Sequence, residues 1–496
     1  MKFLNRFFHF DTKGATLKNE IIGGIVTFIA MCYILPVNAG ILSDMGMNSA
    51  GVFTMTAILS FLATLLMGLV ANYPIVLSAG MGLNAFIAYT LGESMGFTSW
   101  HQKMILLTIA GIIFFTLSLT PVRKKILEAI PMDLRLIISG ALGAFIIFVG
   151  LKNSGLIGYN SATYVSLGNF ADPAVIIALV STVVCFGLMF VKNPIISNLA
   201  IPMTLVVAAI VGVVISSIMI GNGNLVYDET IGSYVYTNYA GLSNATTLPI
   251  APWLDSTVKF GLNGESVKEV IFYGLLSDGY TGQDFVNDLG HVFATPATYV
   301  AIFSLVFVNL FDTTATLLAI SGTTGMIDDK GNFKDYNRIV IADATGALIC
   351  APLGTSTVTS FAESNVGVSL GAKTGFAAIV SAFLFLLCAF VFPVFSIFTS
   401  GSVTAAALVC VGSLIAYNAC SKVNFKADKV IGFTTIITIV FAVLCYSVSD
   451  GIGIGLLCYI AMMLISGRRK EIKLPIYIIA AFFLVAFTLN TIIKFI

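Results

Sequence analysis

Charge is what this sequence has least of. Asp, Glu, Lys and Arg make up 10% of its 496 residues, against about 25% in an ordinary soluble domain. With a net charge of +1 and no basic patch interleaved with aromatics, nothing marks it for nucleic acid. Histidine is scarcer still: His9, His101 and His291 all lie outside the apolar runs, so no histidine relay is indicated. HExxH and Asp/His clusters are missing, which speaks against a membrane-embedded hydrolase. The eight cysteines (32, 185, 350, 388, 410, 420, 445 and 458) show no CxxC or Cys/His ligand spacing. They read as buried thiols, with neither a disulfide framework nor a metal site. Residues 1–20 are not a signal peptide, because Lys2, Arg6, Asp11, Lys13 and Lys18 break the apolar content. A short amphipathic lead-in at the cytoplasmic surface is expected there.

What the chain has instead is hydrophobic length. Apolar residues make up 58% of it, and mean hydropathy is +0.98. Runs of about 20 residues, enough to cross a bilayer core, recur from Ile21 onward. Spans are expected near 21–42, 50–71, 74–91, 104–121, 133–151, 173–192 and 196–220. A second set falls near 298–322, 336–351, 352–371, 373–396, 403–420, 430–447 and 450–467. The stretch 474–495 is either one more span or an interfacial helix. Lys and Arg set the orientation. With the N-terminus inside, Arg123, Lys124, Lys125 and Arg135, then Lys192, Lys330, Lys334, Arg338 and Lys373, then Lys422 to Lys429 and Arg468 to Lys470 all fall in cytoplasmic loops. The opposite-side segment 221–297 holds Lys259 and Lys268 against eight Asp/Glu, and contains a sequon-like Asn244-Ala-Thr.

The expected fold class is an all-α polytopic membrane protein of about fourteen spans. It divides into the lead-in (1–20), a seven-helix repeat (21–220), an extracytoplasmic segment (221–297), a second seven-helix repeat (298–467), and a basic loop with a further apolar stretch (468–496). Seven is odd, so the second set runs inverted relative to the first. Two stretches match across the halves, each third in its set: Tyr73-Pro74-Ile-Val-Leu-Ser78-Ala79-Gly80-Met81-Gly82-Leu-Asn84 and Ala351-Pro352-Leu-Gly354 through Ser360-Phe361-Ala362-Glu363-Ser364-Asn365. Their proline and small residues predict an extended start that turns helical midway, allowed at that depth only where protein or a cavity surrounds it. The alternative is two Gly-rich spans packed closely through small residues.

Few ionisable residues fall inside spans. Glu363 and Asp312 do, and an intramembrane carboxylate is a functional candidate by default. Glu363 suits reversible protonation; its alternative is a helix cap. Asp312 is equally an acceptor for the hydroxyls of Thr313 and Thr316. Asn309, one turn earlier on the same face, both donates and accepts, which suits a heterocycle edge. Asp343 reads as structural, and Asn84 and Asn38 as minor polar contacts.

Ala71-Asn-Tyr-Pro-Ile-Val-Leu-Ser-Ala-Gly-Met-Gly-Leu-Asn-Ala-Phe86, Leu310-Phe-Asp-Thr-Thr-Ala-Thr316 and Glu363-Ser-Asn-Val-Gly-Val368 resemble the AzgA-like purine permeases of the nucleobase/cation symporter-2 (nucleobase–ascorbate transporter) family, in order and over residues 15 to 467. The resemblance implies a core domain (helices 1–4 and 8–11) moving against a gate domain (5–7 and 12–14), with helices 3 and 10 beginning as short strands. It implies a purine base held between those two segments and helix 8: at Ala79, Gly80, Met81 and Asn84, at Phe361, Ala362 and Glu363, and at Asn309. Glu363 and Asp312 would carry proton coupling. Asn309 stands where the branch has its first helix 8 acid, so one formal negative charge is lost, and segment 221–297 is longer than the branch suggests. The expectation is cation-coupled uptake of guanine, hypoxanthine or adenine across a bacterial cytoplasmic membrane, with a co-transported proton or sodium and no other cofactor. Xanthine or uracil specificity, an uncoupled facilitator, an anion transporter of the same fold and a homodimer stay open.

Overall fold

The computed structural model is predominantly helical. It describes the chain except residues 1, 92–95, 121–122, 124–130, 229–232, 238–247, 250–260, 262–263, 277–278, 325–334, 362, 424, 426–427 and 496, and the side chains of 2–4, 194–195, 228, 233, 311–312, 314–315, 317–324, 449, 486 and 489–495. The sequon at Asn244 and the site candidate Ala362 therefore lie outside the described residues, as does the side chain of Asp312.

The first repeat comprises α1 (Leu17–Ser43) and α2 (Ser49–Ala71), strand β1 (Leu77–Ala79) leading into α3 (Met81–Ala85, continued by π turns over Phe86–Thr90), α4 (Trp100–Leu119), α5 (Met132–Asn153), α6 (Pro173–Met189) and α7 (Ala200–Gly221). The second comprises α8 (Ala297–Thr324), α9 (Tyr336–Cys350), strand β2 (Val358–Ser360) leading into α10 (Ser364–Ser369), α11 (Gly375–Cys388), α12 (Gly401–Cys420), α13 (Lys429–Leu444) and α14 (Val448–Ile465). α15 (Leu474–Phe495) follows and stacks Phe482 on Phe303 of α8 at 4.4 Å. Among the described residues six helices are long and apolar enough to cross a membrane, with five shorter apolar helices beside them. The expected span positions recur as elements. The segment before α8 forms an amphipathic helix, Gly282–Ala294, bent 87° from it, and is closed at its start by a Thr281/Asp284 capping box.

Helices α1–α4 and α8–α11 pack among themselves as one bundle, and α5–α7 with α12–α14 as a second. Close approach in the second bundle rests on facing glycines. A Cβ on Gly143 of α5 would stand 2.6 Å from the carbonyl of Gly412 on α12, and one on Gly412 2.7 Å from that of Gly143. Lipid gives helices no hydrophobic drive to associate, so small residues that bring backbones together supply the packing.

At the centre β1 and β2 pair antiparallel, Leu77 opposite Ser360 and Ala79 opposite Val358, flanked by Gly80 N–H donating to Thr357 O and Phe361 N–H to Val76 O, both at 3.0 Å. A two-stranded ribbon leaves its outer backbone groups unpaired, which is costly away from water. Side chains take them up here. Thr64 Oγ1 donates to Leu77 O at 2.9 Å and lies 3.0 Å from Leu77 N; Ser364 Oγ accepts from Val76 N at 3.0 Å; Asp343 Oδ1 accepts from Ser360 N at 3.2 Å.

Candidate functional site

A cavity of about 570 Å³ lies where the strands cross, between the two bundles, within the range usual for ligand sites. Its first-bundle wall is Gly80, Met81 and Gly82 at the start of α3, Thr359 to Phe361 with Glu363 at the start of α10, and Ala30 and Thr316. The facing wall is apolar, with Leu142 and Ile146 from α5 and Val411 and Ile415 from α12. The cavity runs on to the ends of those helices, where the exposed Met132, Asn198 and Lys422 line its mouth. Glu363 supplies the carboxylate of this space, and its Oε1 accepts from Tyr33 Oη at 2.9 Å. Phe361, 7% exposed, supplies an aromatic face beside it.

The other candidates fall behind the wall. Asn84 is fully buried; its Nδ2 donates to Asn38 Oδ1 at 2.5 Å, and its Oδ1 accepts from Ser356. Asn38 also reaches Thr56 (2.7 Å) and Thr355 (2.8 Å), so five polar side chains from both repeats satisfy one another inside the core. Ala79 is paired within β1. Asn309 is buried in α8 away from the cavity lining, and its Oδ1 has no hydrogen-bond partner among the described residues.

Two groups matter more than the sequence indicated. Asp343, read there as a structural residue near a helix end, is fully buried against β2. Its Oδ1 accepts from the backbone and hydroxyl of Ser360, a cavity residue, and its Oδ2 from Thr313 Oγ1 at 2.8 Å. The Thr313 hydroxyl, expected near Asp312, thus serves Asp343. Arg123, counted as a cytoplasmic-loop charge, is instead 1% exposed, with Nη2 3.9 Å from Asp343 Oδ2 and its guanidinium 4.6 Å over Phe114. An Asp in the small-residue run Ile341-Ala-Asp-Ala-Thr-Gly346 is itself an intramembrane carboxylate, and that was the available signal. Tyr33 carried none beyond Pro36, three residues on.

At the opposite end of the bundle interface the two bundles touch. A separate cavity of about 270 Å³ there is lined by Asp44, Lys152, Asn153, Thr404 and Leu408. Along α12, Leu408 lines this cavity and Val411 the one that holds Glu363, so less than a helical turn of wall divides them. Side chains of the two bundles meet here. Asn153 Nδ2 reaches Tyr89 Oη, Tyr89 Oη donates to Asp44 Oδ2 at 2.6 Å, Thr90 Oγ1 donates to Tyr446 O at 3.1 Å, and Lys152 Nζ sits 5.3 Å over the Tyr89 ring. Burial lifts the Asp44 carboxyl above its ordinary value, against the Tyr89 hydrogen bond and the Lys152 charge.

Paired bundles with crossing strands and a cavity between them define an integral membrane transport protein. Two solved transporters share the fold: the transmembrane domain of the bicarbonate transporter BicA of a cyanobacterium (TM-score 0.56, 12% identity, 87% of this chain and 97% of that one) and the murine anion transporter Slc26a9 (TM-score 0.55, 12% identity, 91% and 69%). By sequence, the model of the Permease family, Xan_ur_permease, matches residues 18–454, and the chain belongs to that family, the nucleobase/ascorbate transporters. Among its relatives are the guanine/hypoxanthine permease PbuG of Bacillus subtilis (33% identical, covering 98% of this chain and 99% of that one) and the adenine permease AdeP of Escherichia coli (29%, 97% and 95%). It is a permease and not an enzyme.

Proposed function

We propose that this protein imports a purine nucleobase, guanine, hypoxanthine or adenine, by symport with a cation, a proton in the simplest case. The observation that carries the reading is a cavity whose one described carboxylate, Glu363, stands beside Phe361 and opposite an apolar wall. A purine offers that arrangement N–H donors for a carboxylate and a flat face for a ring. The names of the relatives point to the same ligand class. In this reading, which the positive loop charge supports, Lys422 and the cavity mouth face the cytoplasm across a bacterial inner membrane, and the conformation is an inward-open one. Alternating access then follows if the bundle α1–α4/α8–α11 rocks against α5–α7/α12–α14, opening the Asp44–Tyr89–Asn153 contacts as the inner mouth closes. Glu363 and Asp312 are the acids proposed to take up the coupled proton. Bicarbonate-type transport on this fold is disfavoured by Glu363, because an anion would meet a carboxylate.

Uptake of labelled guanine, hypoxanthine, adenine, xanthine and uracil by a purine-uptake-deficient strain, with and without a protonophore, tests the reading. Accumulation of a purine that collapses with the protonophore is expected. No uptake of any base removes the assignment, and protonophore-insensitive accumulation removes proton coupling.

A further inference from the structure

Behind the carboxylate of the site lies a side chain that does not line the cavity. Tyr33 is 2% exposed, and its hydroxyl reaches Glu363 Oε1 at 2.9 Å. The break in α1 puts it there. Pro36 has no N–H to return to Cys32 O, so the helix interrupts at 32–33 and resumes at Ile34. Ala30, one turn before, is on the cavity wall. The bond therefore joins the first repeat to the start of α10 in the second, beside the paired strands.

We propose that Tyr33 is the positioning residue of the site: its hydroxyl holds Glu363 Oε1, so that Oε2 meets the base and takes the coupled proton. This rests on Glu363 being the base-binding carboxylate. The argument is a count of protons and acceptors. A phenol has one proton to give, and among the described residues Glu363 is the hydrogen-bond partner of Tyr33 Oη. A proton arriving on Oε1 would face the phenol proton, which has no second acceptor among the described residues. A proton on Oε2 leaves the bond intact, since Oε1 of the neutral acid still accepts. Oε2 then alternates between accepting from a base N–H when ionised and donating when protonated. Donation from a protonated Oε2 to an acceptor on the base lets ligand and proton occupy the site together, as symport requires. The titratable groups otherwise near Tyr33 are the thiols of Cys32 and Cys185. Besides Tyr33, the hydrogen bonding of Glu363 involves its own backbone. The hydroxyl is thus the fixed side-chain donor that sets which oxygen is free.

Proteoliposome uptake by wild type, Tyr33→Phe and Glu363→Gln, using whichever tritiated base of guanine, hypoxanthine and adenine the wild type takes up fastest, tests this. Tyr33→Phe should raise KM about tenfold, the effect of one hydrogen bond to a charged group, with Vmax nearly unchanged and the pH profile of KM displaced. An unchanged KM and pH profile, or a loss confined to Vmax, overturns the proposal. If Tyr33→Phe does not reach the membrane folded, 3-fluorotyrosine at position 33 keeps the shape and gives a stronger donor. It should shift KM opposite to the expected loss, and an unmoved KM is equally fatal. Full uptake by Glu363→Gln would instead remove the base-site reading on which this one rests.

Discussion

At the scale of single residues, the site has, among the described residues, one carboxylate on the cavity wall, backed by buried polar groups that hold its frame. Asp343 is the firmest of these, since it ties α9 to Ser360 of β2 and Thr313 of α8. Removing one partner of a buried pair typically costs about 3–5 kcal/mol, because the other charge is left uncompensated. Asp343→Ala should therefore lower the unfolding temperature of the detergent-solubilised protein sharply. Adding Arg123→Met to it should cost less than the sum of the two single changes. Strict additivity in a thermal-shift series would contradict a pairing of Asp343 with Arg123. Glu363 was legible in the sequence because a carboxylate inside an apolar span is expensive and so demands a reason. Tyr33 was not, because a tyrosine in an apolar run looks like packing until its hydroxyl is seen 2.9 Å from Glu363, 330 positions away in the chain. Asn84 looked like a ligand contact for the converse reason: an amide in a span needs partners, and Asn38 and Ser356 supply them from other elements.

At the scale of elements, the strands were legible and their support was not. Pro74 and Pro352, with the small residues after them, foreshadowed β1 and β2. That Thr64 of α2 serves both backbone groups of Leu77 depends on packing that no local pattern encodes. Thr64→Val keeps the shape and strands those groups, at a cost of about 1–3 kcal/mol. Thr64→Ser should restore most of the lost thermal stability; equal loss in both variants would argue that the methyl matters and the hydroxyl does not. In the proposed cycle, closure at Asp44 carries its own pH dependence. Asp44 is held above the ordinary carboxylate value by burial, so the closed end binds its proton more tightly than a water-filled open end would. Closure gains its full contribution from this below the ordinary carboxylate pKa, and loses it as the pH rises through the raised value. A cysteine at Thr404, on the wall of the Asp44 cavity, in a background lacking the exposed Cys445, should react faster with an impermeant thiol reagent as the external pH rises, its rate taken at each pH relative to that of a free thiol. Asp44→Asn should flatten that dependence. A labelling rate indifferent to pH in the parent would remove Asp44 from the closure.

At the scale of the whole molecule, hydropathy carried the argument furthest. The apolar elements and the paired strands at the centre sit where the apolar runs and the two proline-led stretches start and stop. The sequence could not show how the bundles meet. Two separate cavities, one reaching Lys422 and one at Asp44, depend on the relative placement of α5 and α12 against α1, α3 and α10, set by contacts far apart in the chain. The central claim is that the first of these cavities holds a purine base through the Glu363 carboxylate, and equilibrium binding tests it without the complication of transport steps. Purified wild-type protein should bind a tritiated purine saturably, and Glu363→Gln, monodisperse and of similar thermal stability, should bind it at least about tenfold more weakly. Equal affinity of the two proteins for that base would contradict the account.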